Sequence, residues 1–438
     1  MLDPVLAMSE QEPDTHNSLE MLRAAASPGY GVVANWRRVL HYSDEPKFFH
    51  FSGAVVAPAS SDVEPKASGF SPVSREEALL KFLGEAIERY SQGRVAHGRV
   101  RLATAQEMGV TTMDLRSLPR PQKPFGVGTS SYEYVRWIEG RDLYSGGARL
   151  VPAQLVLLPY SFRQHEPILQ IPSSTGAAGG MSYSAAVARG ICEVLEREAF
   201  IAAFLTRSSP PLVDLSQTND ERVSRICRML ARYRLETYVI DITTDIGIPT
   251  MLAVILDRTG LGPAVSLGLK CHPRATDAVL GALMEAQHKR GWIRSVVEKD
   301  PGAPERVEPK LIHSLVDRAL YWYRPDTISR INFLLMGTAR PLREDVAVSG
   351  PASILREMTR RLAKANLEAC WVDISSGKGR RIGYRVVKVV IPQAYSFYLD
   401  ERWPYRTGSR LYDLPHLLGW LDHRPSPEEL CSYPHPFL

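Results

Sequence analysis

Ser74, Ala78, Glu85, Glu88 and Arg89 stand at relative positions 0, 4, 11, 14 and 15 of a segment that returns at Ser182, Ala186, Glu193, Glu196 and Arg197. A third copy is partial: Ala278 and Glu285 keep the spacing, His288 stands at the second Glu position and Lys289 at the Arg position. A frame repeated at this length within one chain implies related helical units. In the first copy Ser74 is placed to cap a helix, with Glu77 as the other half of a capping box. Ala78, Leu79, Phe82, Leu83, Ala86 and Ile87 then form an apolar face of helical period. The second helix is predicted from about Ser182 to Leu205, and the third begins near Asp277 and runs past Arg290.

The chemistry of the frame is direct. Residues three apart share a helix face, so Glu85 projects with Glu88, and Glu193 with Glu196. Four carboxylates brought together repel unless cations join them, and hard oxygen donors suit Mg2+, which also takes phosphate oxygens. The segment Ile171-Pro-Ser-Ser-Thr-Gly-Ala-Ala-Gly-Gly180 before the second helix is built of small residues that let backbone N–H groups approach a phosphate. A single Glu-x-x-Glu-Arg is ordinarily a solvated helix face. Two matched copies, one behind a glycine-rich segment and both beside small apolar residues such as Ala185, Ala186, Val187 and Ala188, favour a polyphosphate site.

The remaining pattern mixes strands and helices. Strands are predicted between Tyr30 and Val56, at Val151–Leu158, at Thr237–Ile242 with Thr250–Leu256 as an antiparallel pair, and at Cys370–Ile374 and Arg385–Ile391. Ala57–Pro72 reads as loop, and further helices are predicted over Leu311–Tyr321 and Ile354–Ala365. The fold class is α+β: mixed, largely antiparallel sheets with packed helices and an internal helix repeat. Residues 1–60 form a lead-in segment with short strands, and residues 61–438 the main domain with a Pro-rich C-terminal tail. Ser375-Ser-Gly-Lys-Gly379 lacks the full phosphate-loop pattern and reads as a hairpin turn. Ser426-Pro427-Glu428-Glu429 reads as a short capped helix start. Tyr160, Tyr395, Tyr398 and Trp403 are core aromatics or the wall of a peptide groove.

Composition excludes some classes. With a net charge of +5 over 438 residues and no run of Lys/Arg, there is no nucleic-acid or membrane-surface patch. Five cysteines (Cys192, Cys227, Cys271, Cys370, Cys431) at wide spacings make no zinc or redox motif and suit a reducing compartment. The acidic start (Asp3, Glu10, Glu12) is unlike a signal peptide, and no run reaches the ~18 apolar residues of a membrane span. The expectation is a soluble cytoplasmic protein.

The chain resembles the YcaO superfamily. Ser173-Ser-Thr-Gly-Ala-Ala-Gly-Gly180 followed by Glu193-Val-Leu-Glu-Arg-Glu198 is similar to its signature, and Gly84–Tyr90 and Ala282–Gln287 are similar to its first and third nucleotide-site helices. Val386–Ile391, Arg410–Pro415 and the ending Pro434-His-Pro-Phe-Leu438 resemble the azoline-forming branch. The resemblance implies an enzyme that uses ATP and Mg2+, a cyclodehydratase. It implies nucleotide contacts at Ser74, Glu85, Glu88, Arg89, Ser182, Glu193, Glu196, Arg197, Glu285 and Gln287, and metal ligation by Glu85, Glu88, Glu193 and Glu196. Pro434 and Pro436 would deliver the Leu438 carboxylate for proton transfer. The substrate would be a ribosomal precursor peptide whose Cys, Ser or Thr attacks the preceding amide, giving thiazolines or oxazolines. A leader-peptide-binding E1-like (ThiF-like) partner, a flavin dehydrogenase and a homodimer are further implied. The family pattern is departed from at Leu438 (often Pro), at Ser68–Ser71 (often Gly-Lys-Gly) and at His288 (often Gln).

Three alternatives remain. Thioamide or amidine formation would activate the amide in the same way with another nucleophile. A di-metal carboxylate oxidoreductase would use paired Glu helices and Glu285-x-x-His288, but wants a helical bundle and two such motifs. A non-catalytic scaffold would not need intact Glu positions.

Overall fold

The computed structural model describes residues 15–27, 29–58, 64–95, 97–108, 112–121, 134–164 and 166–438. The acidic start lies outside the described residues. In chain order the helices are α1 (Thr15–Arg23), α2 (Arg75–Gln92), α3 (Tyr183–Leu205), α4 (Glu221–Arg232), α5 (Ala275–His288), α6 (Arg290–Lys299), α7 (Leu315–Tyr321), α8 (Pro351–Lys364), α9 (Gly377–Arg381) and α10 (Ser409–Leu417). None is long and apolar enough to cross a membrane. The chain divides into two interleaved compact units: Met1–Leu40, Phe48–Val194 and Val348–Ala394 make the first, and His41–Lys47, Leu195–Ala347 and Tyr395–Leu438 the second. The division falls inside α3, between Glu193 and Glu196.

The first unit holds an antiparallel sheet β1 (Val33–Arg38), β2 (Phe49–Val55), β3 (Lys66–Ser71), in that order. A second sheet is ordered β4 (Val100–Ala103), β5 (Val135–Asp142), β13 (Cys370–Asp373), β14 (Arg385–Val390), β7 (Ala177–Gly180), with β6 (Ala148–Pro152) on β5. Helix α2 packs on β3 and β2 through Ala78, Phe82, Leu83, Ala86 and Ile87. The second unit holds one sheet, ordered β11 (Val265–Cys271), β10 (Thr250–Asp257), β9 (Leu235–Asp241), β8 (Leu212–Val213), β12 (Ala339–Arg340). Strand β10 is buried at every residue, which is why Thr250–Leu256 reads as a continuous apolar run, and α5 packs on β11 and β10. The antiparallel pair predicted from Thr237 and Thr250 is present, with Val254 opposite Tyr238.

Several expectations are corrected. Lys66–Ser71 is strand, not loop: Gly69 lets β3 approach α2 so closely that a Cβ there would lie 2.0 Å from Ala78 O. The small-residue segment ends as strand β7, which pairs with β14. The third repeat helix stops at His288, and α6 begins afresh at Arg290. The tail contains a helix, α10, that its weak periodicity did not indicate. Val151–Leu158 is strand only to Pro152. The Ser375–Gly379 turn does join antiparallel β13 and β14, but as the one-turn helix α9 capped by Ser376. Tyr395 and Tyr398 are buried in the second core, so they do not line a groove.

Candidate functional site

The repeat is a strand followed by a helix, and the carboxylates tie the two together. Ser74 Oγ accepts from Glu77 N–H (3.1 Å), and Ser182 Oγ accepts from Ala185 N–H (3.1 Å), so position 0 caps the helix in both full copies. The expected capping box is relayed: Glu77 Oε2 accepts from Ser71 Oγ (2.7 Å), which in turn accepts from Ser74 N–H (3.3 Å). In the third copy position 0 is Arg274, and Asp345 supplies the cap by accepting from Ala275 N–H at 2.7 Å.

At position 11 each Glu reaches back to the strand of its own copy or, in the second copy, to the turn residue just before it. Glu85 Oε2 accepts from Ser68 N–H (3.0 Å), Glu193 Oε2 from Gly176 N–H (3.2 Å) and Glu285 Oε2 from Leu269 N–H (2.7 Å). At position 14 each Glu reaches forward instead. Glu88 accepts from the Gly179 N–H of the second copy, and Glu196 Oε1 from the Cys271 N–H of the third (2.7 Å). Gly179 and Cys271 each lie three residues before position 0 of their copy. The geometry therefore produces two equivalent acidic pairs: Glu88 with Glu193, and Glu196 with Glu285.

In the first unit, Glu88 and Glu193 share their surroundings with Glu85, Arg89 and Lys388. Arg89 Nη2 lies 3.3 Å from Glu85 Oε1, while its buried Nε has no hydrogen-bond partner. Burial pushes the Glu88 carboxyl up to about 8; Glu193 and Glu85 reinforce this and Arg89 opposes it. Burial also lowers Lys388 to about 8, against the pull of Glu193 and Glu88. A buried acidic pair whose Glu88 favours the protonated form, beside an orphaned guanidinium donor, is an environment in which a cation would favour the carboxylate and an anionic oxygen would meet the donor.

In the second unit, Glu196 is buried. Burial raises its pKa, Lys270 and Arg197 oppose the rise, and Glu285 adds to it. Lys270 Nζ lies 3.5 Å from Glu196 Oε1 and Arg197 Nη1 3.4 Å from Glu196 Oε2. Arg197 does not stop at its carboxylate: its guanidinium lies over the rings of Phe397 and Phe437, 4.7 Å from each. Lys289 lies 3.9 Å from Glu285, 4.7 Å from the Phe437 ring centroid, and donates to Leu438 O. Position 15 of the second and third copies thus grips the tail. His435 Nε2 meets Tyr398 O (2.8 Å), and Arg318 donates to His435 O (2.6 Å). A small cleft lined by Ser266, Ala286, Lys289, Trp322, Pro436 and Leu438 opens there.

The donor set is all hard oxygen, which suits Mg2+. Among the described residues no three His, Cys, Asp or Glu side chains converge to hold an ion by themselves. Mg2+ ordinarily takes one or two carboxylates and completes its shell with water and phosphate oxygens, so the residues fit that ion better than a closed metal cage. Gln287 is turned away from the acidic stripe: its Nε2 donates to Glu45 Oε2 (3.0 Å), beside the buried Arg290–Asp257 ion pair. Sequence reasoning missed Lys388 and Lys270. The signal for Lys388 was a lone charge inside the run Val386-Val-Lys-Val-Val390.

Residues 72–395 match the family described as YcaO cyclodehydratase, ATP- and Mg2+-binding. A protein of Methanothermobacter thermautotrophicus, itself uncharacterized, is 25% identical over 362 residues, covering 82% of this chain and 88% of that protein. An uncharacterized protein from the tfuA 3' region of Rhizobium leguminosarum bv. trifolii is 30% identical over 230 residues, half of this chain and 53% of its own length. Among solved structures, a heterocyclase in complex with substrate and cofactor superposes with a TM-score of 0.80 at 22% identity, covering 97% of this chain. The YcaO protein of Methanopyrus kandleri bound with AMPPCP and Mg2+ superposes at 0.65 with 18% identity, covering 90% of this chain and 94% of that one. The Escherichia coli microcin synthetase McbBCD complex with pro-MccB17 bound superposes at 0.58 with 12% identity, covering 91% and 96%. The chain spans 58% of the first heterocyclase and half of the heterocyclase TruD.

Proposed function

The chain belongs to the YcaO cyclodehydratases, an ATP- and Mg2+-binding family, and from that premise we propose that it activates backbone amides of a ribosomal precursor peptide for azoline formation. The observation that carries the reading is the pair of equivalent acidic sites, Glu88 with Glu193 and Glu196 with Glu285, each lined by its own cations.

Residues 61–438 act as the catalytic domain in this reading. Glu85, Glu88 and Glu193 in the first unit and Glu196 in the second are the carboxylates that would hold Mg2+, which when bound would supply charge neutralisation for the ATP phosphates. Glu285, Arg89 and Arg197 complete the polar lining, and Ser74 and Ser182 fix the N-termini of the helices that carry it. Gln287 leaves the set, because Glu45 holds it. A Cys, Ser or Thr side chain of the peptide adds to the preceding amide carbon, and the resulting oxyanion takes the γ-phosphoryl group, releasing ADP. That addition closes the five-membered ring; the nitrogen then loses its proton, the former amide oxygen leaves with phosphate, and a C=N double bond forms within the ring. Pro434 and Pro436 set the course of the tail, and the Leu438 main-chain oxygen, held by Lys289, is the group assigned to proton handling. A cytoplasmic location, a homodimer and a leader-binding ThiF-like partner accompany the proposal. A flavin dehydrogenase would act after ring closure.

The test is a mass spectrum of a precursor peptide encoded beside the gene, incubated with the protein, its partner, ATP and Mg2+. Loss of one water per modified residue, absent in Glu196→Gln, is expected. Exchange of oxygen for sulfur in the presence of sulfide would assign thioamide formation instead. An unchanged peptide with no phosphate release would overturn amide activation.

A further inference from the structure

Lys388 lies in the middle of β14, between Val387 and Val389, and is 3% exposed. Burying an ammonium is costly unless something repays it, and a methionine would fill similar space without that cost. Its Nζ donates to Ser173 O at 2.6 Å. Along the strand it stands opposite Ala177. The other charges that act on it are Glu193, Glu88 and Arg89, from α3 and α2. The side chain therefore spans from β14 to the segment that precedes α3.

That segment is held at several further points. Ala177 N–H donates to Ser174 O (2.8 Å), Val389 N–H to Gly176 O (2.8 Å) and Gly176 N–H to Glu193 Oε2 (3.2 Å). Gly176 adopts φ +82°, and a Cβ there would lie 2.3 Å from Val389 O, so only glycine allows the turn. Residues 173–175 are half-buried rather than sealed off. Lys388 fixes the near end of this turn and places a positive charge beside the Glu88–Glu193 pair, two tasks that an apolar side chain would leave undone.

We propose that Lys388 is a positioning residue for the nucleotide phosphates: it holds Ser173 O, and with it the 173–176 turn, in the form that receives them, and it keeps Glu88 and Glu193 together until Mg2+ and nucleotide arrive. This rests on the nucleotide-binding reading above. A residue that only fills the core would change stability, yet would not separate nucleotide affinity from turnover.

The experiment measures binding of Mg2+·AMPPCP by calorimetry, together with KM for ATP and kcat for phosphate release with peptide and partner present. Lys388→Met, with the wild-type circular dichroism spectrum, is expected to bind Mg2+·AMPPCP about tenfold more weakly or worse, as befits loss of a charge-assisted contact. Its kcat at saturating ATP should stay within about threefold of wild type, and Lys388→Arg should recover most of the affinity. Should K388M not fold, Lys388→Gln is read in the same way. Wild-type affinity in the neutral variant, or a fall in kcat at unchanged KM, overturns the role of Lys388. Wild-type protein that binds no Mg2+·AMPPCP overturns the nucleotide reading itself.

Discussion

The two acidic pairs are built on one frame and are furnished differently. Glu88 and Glu193 face Lys388, which is buried, and Arg89, whose Nη2 lies beside Glu85. Glu196 and Glu285 face Lys270, which is exposed for nearly half of its side chain, and two position-15 cations that are occupied with the tail. The same register position therefore meets a carboxylate in all three copies and, in the second and third, holds Phe437 and Leu438 as well. Repetition explains where the carboxylates go; the departures from repetition explain why only the second pair lies beside cations that also hold the tail.

The largest expected effect tests whether the pairs are functionally equivalent. Glu88→Gln and Glu196→Gln should each lower peptide-dependent phosphate release by about 100-fold or more, as removal of a charge-stabilising group does in other sites. A loss confined to one of them would break the equivalence. Next comes the tail. Lys289→Ala should lower kcat by about 10- to 100-fold, in the range of a misplaced general acid–base group, with Mg2+·AMPPCP affinity within about threefold of wild type. An affinity loss with normal kcat would assign Lys289 to the nucleotide instead.

The shared frame itself can be broken at its strand–helix contacts. A Cβ at Gly268 would lie 2.1 Å from Ala282 O and 2.3 Å from Ala286 N, and at Gly69 2.3 Å from Phe82 N. Gly268→Ala and Gly69→Ala should each destabilise by about 1–3 kcal/mol in denaturant unfolding. Smaller still, Ser74→Ala and Ser182→Ala should each cost about 1 kcal/mol as lost helix caps. A concurrent fall in Mg2+·AMPPCP affinity would show that these hydroxyls also meet the nucleotide.

Acid should distinguish the unit that holds the tail. Burial, then Arg318 and Arg197, hold His435 well below its ordinary pKa, while Tyr398 O pulls the other way. The unfolded chain then takes a proton that the native protein refuses. Stability should fall as the pH drops through about 6.5, by about 1 kcal/mol between pH 7.5 and 5.5. His435→Asn should flatten that slope in chemical denaturation measured across the range.

The acidic frame was legible because residues three apart on a helix must share a face, whatever the tertiary structure. The apolar faces of α2 and α3, the antiparallel β9–β10 pair and the β13–β14 hairpin were legible for the same local reason. What escaped was set by distant pairing. Lys66–Ser71 has the composition of a loop, and becomes a strand because β2 and α2 accept its small residues. Lys388 and Lys270 sit on strands, and no spacing relates them to the Glu positions that they face. The forward reach of Glu88 to Gly179 and of Glu196 to Cys271 joins successive copies, a link that the repeat implies only once the strands are in place. Gln287 was assigned by resemblance, and no spacing foretold that its Nε2 donates to Glu45, far away in sequence.

The central claim is tested most directly by a crystal structure with Mg2+ and AMPPCP bound. The account predicts a magnesium ion at roughly 2.0–2.1 Å from a carboxylate oxygen of Glu88 or Glu193, with phosphate oxygens facing Ser173–Gly176. Nucleotide bound elsewhere, with none of these carboxylates touching metal or phosphate, would contradict it.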